Sequence, residues 1–165
     1  MAEEKIGHLI KLPLDATNES VKAEPLVECS EKELSEVLRD LRIAVDEKNY
    51  IPQTPTKDNP ALSDNYVFDT GDENFVLKDL KRENFVGKIK DLSKGAIKRK
   101  ERGLPEEYLY VFKYTCRLFR RDAHFSELEY DDILIYIKVN DRKIPYKKVY
   151  VISFHKNNPD RKSVV

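Results

Sequence analysis

DDILIYIKVNDRKIPYKKVYVISFHKN, residues 131–157, carries the strongest structural signal in the chain. Its β-branched and aromatic content predicts a strand from Ile133 to Val139. Asn140-Asp141-Arg142-Lys143 predicts a turn, and Pro145 bars the next stretch from an unbroken central ladder. Val149 to Phe154 predicts a second strand, and His155-Lys156-Asn157-Asn158 comes directly after it. On the first strand Ile135, Ile137 and Val139 share one face, while Leu134, Tyr136 and Lys138 share the other. A phenol and an ammonium two residues apart on one face resemble a polar site more than a core layer. Side chains at a strand end are held rigidly, where a ligand can meet them.

Before this hairpin, Tyr108 to Cys116 predicts a further strand with Tyr108, Tyr110, Phe112 and Tyr114 on one side and Lys113 on the other. Nearer the N-terminus the periodicity becomes helical. Ser30 with Glu33 makes a capping box, and Leu34, Val37, Leu38, Leu41, Ile43, Ala44 and Val45 supply an apolar stripe, which predicts a helix over 31–47. Leu77, Leu80, Phe85, Val86, Ile89 and Leu92 recur at helical spacing and predict a second over 76–92, with Gly87 weakening its middle. Helices first and hairpin-linked strands later predict an α+β fold, N-terminal helices packed on a small antiparallel β-sheet. Residues 1–30 lack periodicity and read as a flexible extension, 31–158 as one domain, and 159–165 as a tail.

A chain of 165 residues is long enough for one domain with a real core, and 36% charged residues imply a heavily solvated surface. No apolar run approaches the ~20 residues of a membrane span, and MAEEKIGHLIK lacks a signal peptide's apolar block. A cytoplasmic protein without a membrane partner is expected. Cys29 and Cys116 alone make neither a zinc site nor a disulfide framework. The net charge is zero, yet residues 1–77 hold 8 Lys/Arg against 17 Asp/Glu, whereas residues 78–121 hold 14 against 6. That basic belt predicts a polyanion site or an acidic partner, unless the acidic first half packs against it.

From about residue 33 to 157 the chain resembles the MqsR-type toxins, RNA-cleaving members of the RelE-like group of toxin–antitoxin systems. Four stretches carry the resemblance in order: Leu34-Ser35-Glu36-Val37, Leu92-Ser93 leading into Lys98-Arg99-Lys100, Tyr136-Ile137-Lys138, and Val151-Ile152-Ser153-Phe154-His155-Lys156. The family is shorter, and His155 stands where it often has a lysine. The resemblance implies an endoribonuclease acting on single-stranded mRNA, with no metal or other cofactor. It also implies a cognate antitoxin partner, of zinc-finger type. Arg99, Tyr136, Lys138 and His155 become the catalytic candidates, with Lys98, Lys100, Lys113 and Lys156 as RNA-binding residues.

These residue types suit that chemistry. RNA carries its own nucleophile, the 2′-hydroxyl, so the protein need only position the backbone, move protons and offset charge. Lysine and arginine stabilise the developing negative charge. Histidine titrates near neutrality and can accept or donate the proton. Tyrosine can stack on an exposed base. The candidates have plainer readings beside this one: His155 as a surface residue at a strand end, Tyr136 as sheet packing, Lys138 as edge protection, Lys98 to Arg102 as a solvated helix face, and Lys113 as a lysine pointing to water. The competing functional reading is a non-catalytic bacterial or phage protein-binding module, an inhibitor or adaptor, using the basic 78–121 belt.

Overall fold

The computed structural model describes residues 4–6, 9–14, 26–52, 61–122, 129–144 and 147–156, with the backbone alone for 4–6, 52, 141–144 and 147–155. Helix α1, Glu31–Asp46, begins where Ser30 Oγ accepts from the Glu33 N–H at 3.1 Å. Glu31 and Glu33 in its first turn suit the helix dipole. Leu34, Val37, Leu38, Leu41, Ala44 and Val45 form its buried stripe, and Ile43 falls outside it. The helix closes in a Schellman turn: Asn49 N–H donates to Ala44 O at 2.7 Å and Lys48 N–H to Val45 O at 3.1 Å. That turn holds Lys48 at φ 54°, a conformation glycine adopts more readily.

Helix α2, Thr70–Asp79, opens with a reciprocal capping box between Asp69 and Asp72. Its C-terminal carbonyls are met from α1, where the Arg42 guanidinium donates to Lys78 O at 3.2 Å and Leu80 O at 3.0 Å. Here the expected second helix over 76–92 is corrected. The chain leaves α2 at Asp79, makes a short 3-10 turn at Arg82–Asn84, and becomes strand β4, Phe85–Lys90. A bulge between Phe85 and Gly87 adds one residue, so Phe85 joins the helix-covered core while Val86 packs with the cluster on the other face. The bulge breaks the period-two pattern and leaves apolar residues at a spacing that imitates a helix.

Among the described residues the strands form one sheet of seven. Strand β1, Glu4–Ile6, pairs with β2, Leu9–Lys11; β3 is Tyr50–Pro52, β5 Tyr108–Phe119, β6 Tyr130–Ile144 and β7 Lys147–Lys156. The order is β1-β2-β5-β6-β7-β3, with β4 also on β5. Every pairing is antiparallel except β3 with β7. Helix α3, Lys94–Glu101, lies in the connection between β4 and β5. The layout is α+β, with α1 and α2 on one sheet face over Tyr110, Phe112, Tyr114, Ile133, Ile135, Ile137 and Val139. Those residues alternate along β5 and β6, which is the period-two signature of a face turned to the core.

Two more expectations change. The turn at Asn140–Lys143 is not there, because the β6–β7 ladder runs on to Ile144 opposite Lys147. The connection is therefore residues 145–146, outside the described residues. The first 30 residues are also more than a loose extension where they are described. Leu9–Lys11 pairs with Leu118–Cys116 of β5, Leu9 is fully buried, and Thr115 Oγ1 donates to Leu14 O at 3.1 Å. Outside these strands Tyr66 forms one isolated bridge with Arg120.

Candidate functional site

With Ile133, Ile135, Ile137 and Val139 turned to the helices, Leu134, Tyr136, Lys138 and Asn140 stand on the opposite face of β6. The ladder register sets their neighbours. Lys113, Tyr136 and His155 occupy one cross-strand row, Val111, Lys138 and Ser153 the next, and Leu109, Asn140 and Val151 the third. Residues directly opposite in a ladder are about 5 Å apart and interact. The side chain of His155 lies outside the described residues, so its place is given by the register alone.

Tyr136 is 8% exposed and packs with Ile89 and Val111, with Val86 and Leu109 at the margin. Its ring is thus part of a second apolar cluster, which corrects the reading of this face as polar rather than packed. Lys138 is half-buried beside it, its Nζ 5.2 Å from the Tyr136 ring centroid. At that distance the ammonium interacts with the ring face. Tyr136 and Lys138 are therefore together, as expected. Lys113 joins the row of Tyr136 from β5, and its own carbonyl accepts from Asn84 Nδ2 at 3.0 Å.

Arg99 reaches this face by a different route. Helix α3 starts where Ser93 Oγ accepts from Ala96 N–H at 3.3 Å, and Asp91 Oδ1 accepts from Ser93 N–H at 3.0 Å. From its second turn Arg99 forks onto Glu107, with Nε to Oε2 and Nη2 to Oε1, the latter at 3.0 Å. Asn140 Nδ2 donates to the same Glu107 Oε1 at 2.9 Å and to Asp91 Oδ2 at 2.7 Å. Two carboxylate acceptors fix the orientation of that amide, because a flipped Asn140 would set oxygen against oxygen. The hydrogen bond to Glu107 also raises the Arg99 pKa further. Arg99 is therefore engaged by a carboxylate whose side chain is 8% exposed, and it ties α3 to the sheet. Asn140 lies ~7 Å along β6 from Lys138, two residues on.

The remaining candidates scatter. Lys98 is exposed on α3, and Lys100 pairs with Glu106 at 3.2 Å. Lys156 stands opposite Ile135, so it belongs to the helix-covered side and not to the face of Tyr136. There its Nζ is 3.4 Å from Tyr66 Oη, whose phenol donates to Asp131 at 2.7 Å. Burial and that carboxylate push the Tyr66 pKa well up. Asn140, Asp91 and Glu107 did not stand out in the sequence. The available signal was an asparagine embedded in a β-run, where a buried amide needs partners. Among the described residues no three His, Cys, Asp or Glu side chains gather as metal ligands would, and no helix is long and apolar enough to cross a membrane.

The charge belt is partly covered. Glu31 pairs with Arg82, Asp46 with Lys78, and Glu33 with Lys88 at 2.6 Å, so acids of α1 face the first third of the basic stretch. Glu33 also accepts from Tyr110 at 2.6 Å, and Lys88 Nζ lies 4.3 Å over the Tyr108 ring. Compared with family models, curated proteins and solved structures, the chain matches none of them.

Proposed function

We propose that this chain is a metal-independent endoribonuclease toxin acting in the cytoplasm on single-stranded mRNA and held inactive by a cognate antitoxin. The observation that supports it is the register that aligns Lys113, Tyr136 and His155 in one row, with Lys138 in the next. A base at the His155 position takes the proton of the RNA 2′-hydroxyl. The 2′-oxygen then attacks the adjacent phosphorus, and the 5′-oxygen of the next nucleotide leaves with a returned proton. The products are a 2′,3′-cyclic phosphate and a 5′-hydroxyl. Lys138 and Lys113 offset the charge on the phosphorane, and Tyr136 positions the nucleotide or donates its hydroxyl hydrogen. Arg99 contributes by holding α3 beside Asn140, since its guanidinium is occupied.

Burial of the Tyr136 ring favours a second reading, the non-catalytic protein-binding module. One assay separates the two. Purified protein is incubated with end-labelled single-stranded RNA and EDTA, beside His155→Ala and Tyr136→Phe. The nuclease reading expects cleavage by the parent and a loss of ~10²-fold or more in each variant with the fold retained. An inert parent, or two variants that cleave at the parental rate, sinks it.

A further inference from the structure

The proposed cleavage makes no use of the outer side of the connection between β4 and β5. From Leu92 to Pro105 that connection is exposed throughout, except for buried Ala96 and half-buried Arg99. Leu92 is 72% exposed, Ile97 44% and Leu104 40%. One open aliphatic residue is ordinary on a protein surface, but three in one short connection need an explanation. Cations stand among them. Arg99 and Lys100 are held by Glu107 and Glu106, whereas Lys94, Lys98 and Arg102 have no ion-pair partner among the described residues. Glu101 is the one exposed acid between Ser93 and Pro105. The acids of α1 that neutralise residues 78–88 make no ion pair with this segment among the described residues.

We propose that the 92–105 connection docks in the plane of an anionic membrane surface. Leu92, Ile97 and Leu104 enter the boundary between headgroups and acyl chains, and Lys94, Lys98 and Arg102 meet the headgroups. Charge complementarity calls for an anionic occupant, and the aliphatic residues choose among anions. RNA would be gripped by phosphate contacts and base stacking, and residues 91–107 contain no aromatic side chain. A protein partner would favour aromatics and arginine over lysine and would cover ~800 Å², more than one short connection presents. A lipid surface demands no matching shape, and lysine stems can lie along apolar matter with the ammonium kept wet. No spanning helix is needed, but the proposal departs from the sequence expectation of no membrane partner.

The test is co-sedimentation of the full chain with vesicles at low ionic strength. One set is pure phosphatidylcholine, and the other has one part phosphatidylglycerol to two parts phosphatidylcholine. The chain should pellet with the anionic set and stay largely in solution with the neutral one. Each cation is worth about fivefold in partitioning, so Lys94→Gln/Lys98→Gln/Arg102→Gln should weaken it ~100-fold. Leu92→Ser/Leu104→Ser should weaken it at least ~10-fold, with an unchanged circular dichroism spectrum, because both side chains are exposed and outside α3. RNA cleavage by that pair should match the parent, which keeps the two readings separable. The proposal is overturned if neither vesicle set pellets the chain, if both do equally, or if the leucine pair binds as well as the parent. It is also overturned if labelled single-stranded RNA binds this connection and vesicles do not.

Discussion

Leu9→Ala tests whether the N-terminal strand belongs to the folded unit. Leu9 is fully buried, pairs with Leu118 and belongs to the principal core cluster. Removing a buried leucine to its Cβ forfeits the transfer free energy and leaves a cavity, together about 3 kcal/mol. For a domain whose whole stability is ~5–15 kcal/mol, that is a large share. With a urea slope near ~2 kcal/mol/M, the midpoint should fall by about 1.5 M. The control is Leu26→Ala, where the side chain is 61% exposed and the change should stay within ~0.5 kcal/mol. Equilibrium urea unfolding followed by circular dichroism reads both. If Leu9→Ala unfolds at the parental midpoint, β2 is not part of the cooperative core. The pairing and the Thr115 bond to Leu14 would then carry no weight.

Three further substitutions probe single contacts. Lys48→Gly should raise stability by about 0.5–1 kcal/mol, because glycine accepts the left-handed conformation of the Schellman turn without strain; an unchanged or lowered thermal midpoint would refute it. Asn84→Ala should cost about 2 kcal/mol in urea unfolding, since this buried amide joins Lys113 O at 3.0 Å and the Lys81 N–H at 2.9 Å, and its loss strands both backbone groups. Arg99→Met should cost about 3 kcal/mol by removing the guanidinium that forks onto the buried Glu107 carboxylate, while Arg99→Met/Glu107→Leu should recover at least half of that. A double variant no better than the single one would show that Arg99 does not act through Glu107.

Much of this architecture could be read from period alone. Ser30 and the stripe from Leu34 to Val45 placed α1, and the alternation in Tyr108–Cys116 and Ile133–Val139 placed the central hairpin. Failures came where tertiary context overrides local pattern. The bulge at Val86 made a strand look helical. Asn140-Asp141-Arg142-Lys143 has turn composition, yet it continues a ladder fixed by its neighbour on β7, a long-range pairing that no local signal carries. The strand at Leu9–Lys11 is too short for periodicity to register, and its place depends on an open edge of β5, far along the chain. Of the site, Tyr136 and Lys138 were legible because they share a strand face. The pairing of Arg99 with Glu107 was not, because nothing in a run of cations announces which one folds back.

Which cations fold back also governs how the zero net charge should be understood. A count over 78–121 gives an excess of cations, but the fold treats them differently. Lys81, Lys90, Arg117 and Arg120 pair with acids close by, and Arg121 donates to Ser63 O. Most of the others fall into three groups, taken with Lys138 of the sheet. Lys78, Arg82 and Lys88 are met by acids of α1 and serve to attach it. Arg99 and Lys100 close the β4–β5 connection on Glu107 and Glu106. Lys94, Lys98 and Arg102 around α3, and Lys113 and Lys138 on the sheet face, have no ion pair among the described residues. Paired surface charges contribute little to stability and are already satisfied electrostatically. Among these three groups, capacity for an anionic ligand therefore rests with the last. It falls in two places with different company: aromatic and histidine neighbours on the sheet, open aliphatic neighbours around α3. Different company implies different anions, and this is why RNA is proposed for the first surface and lipid headgroups for the second.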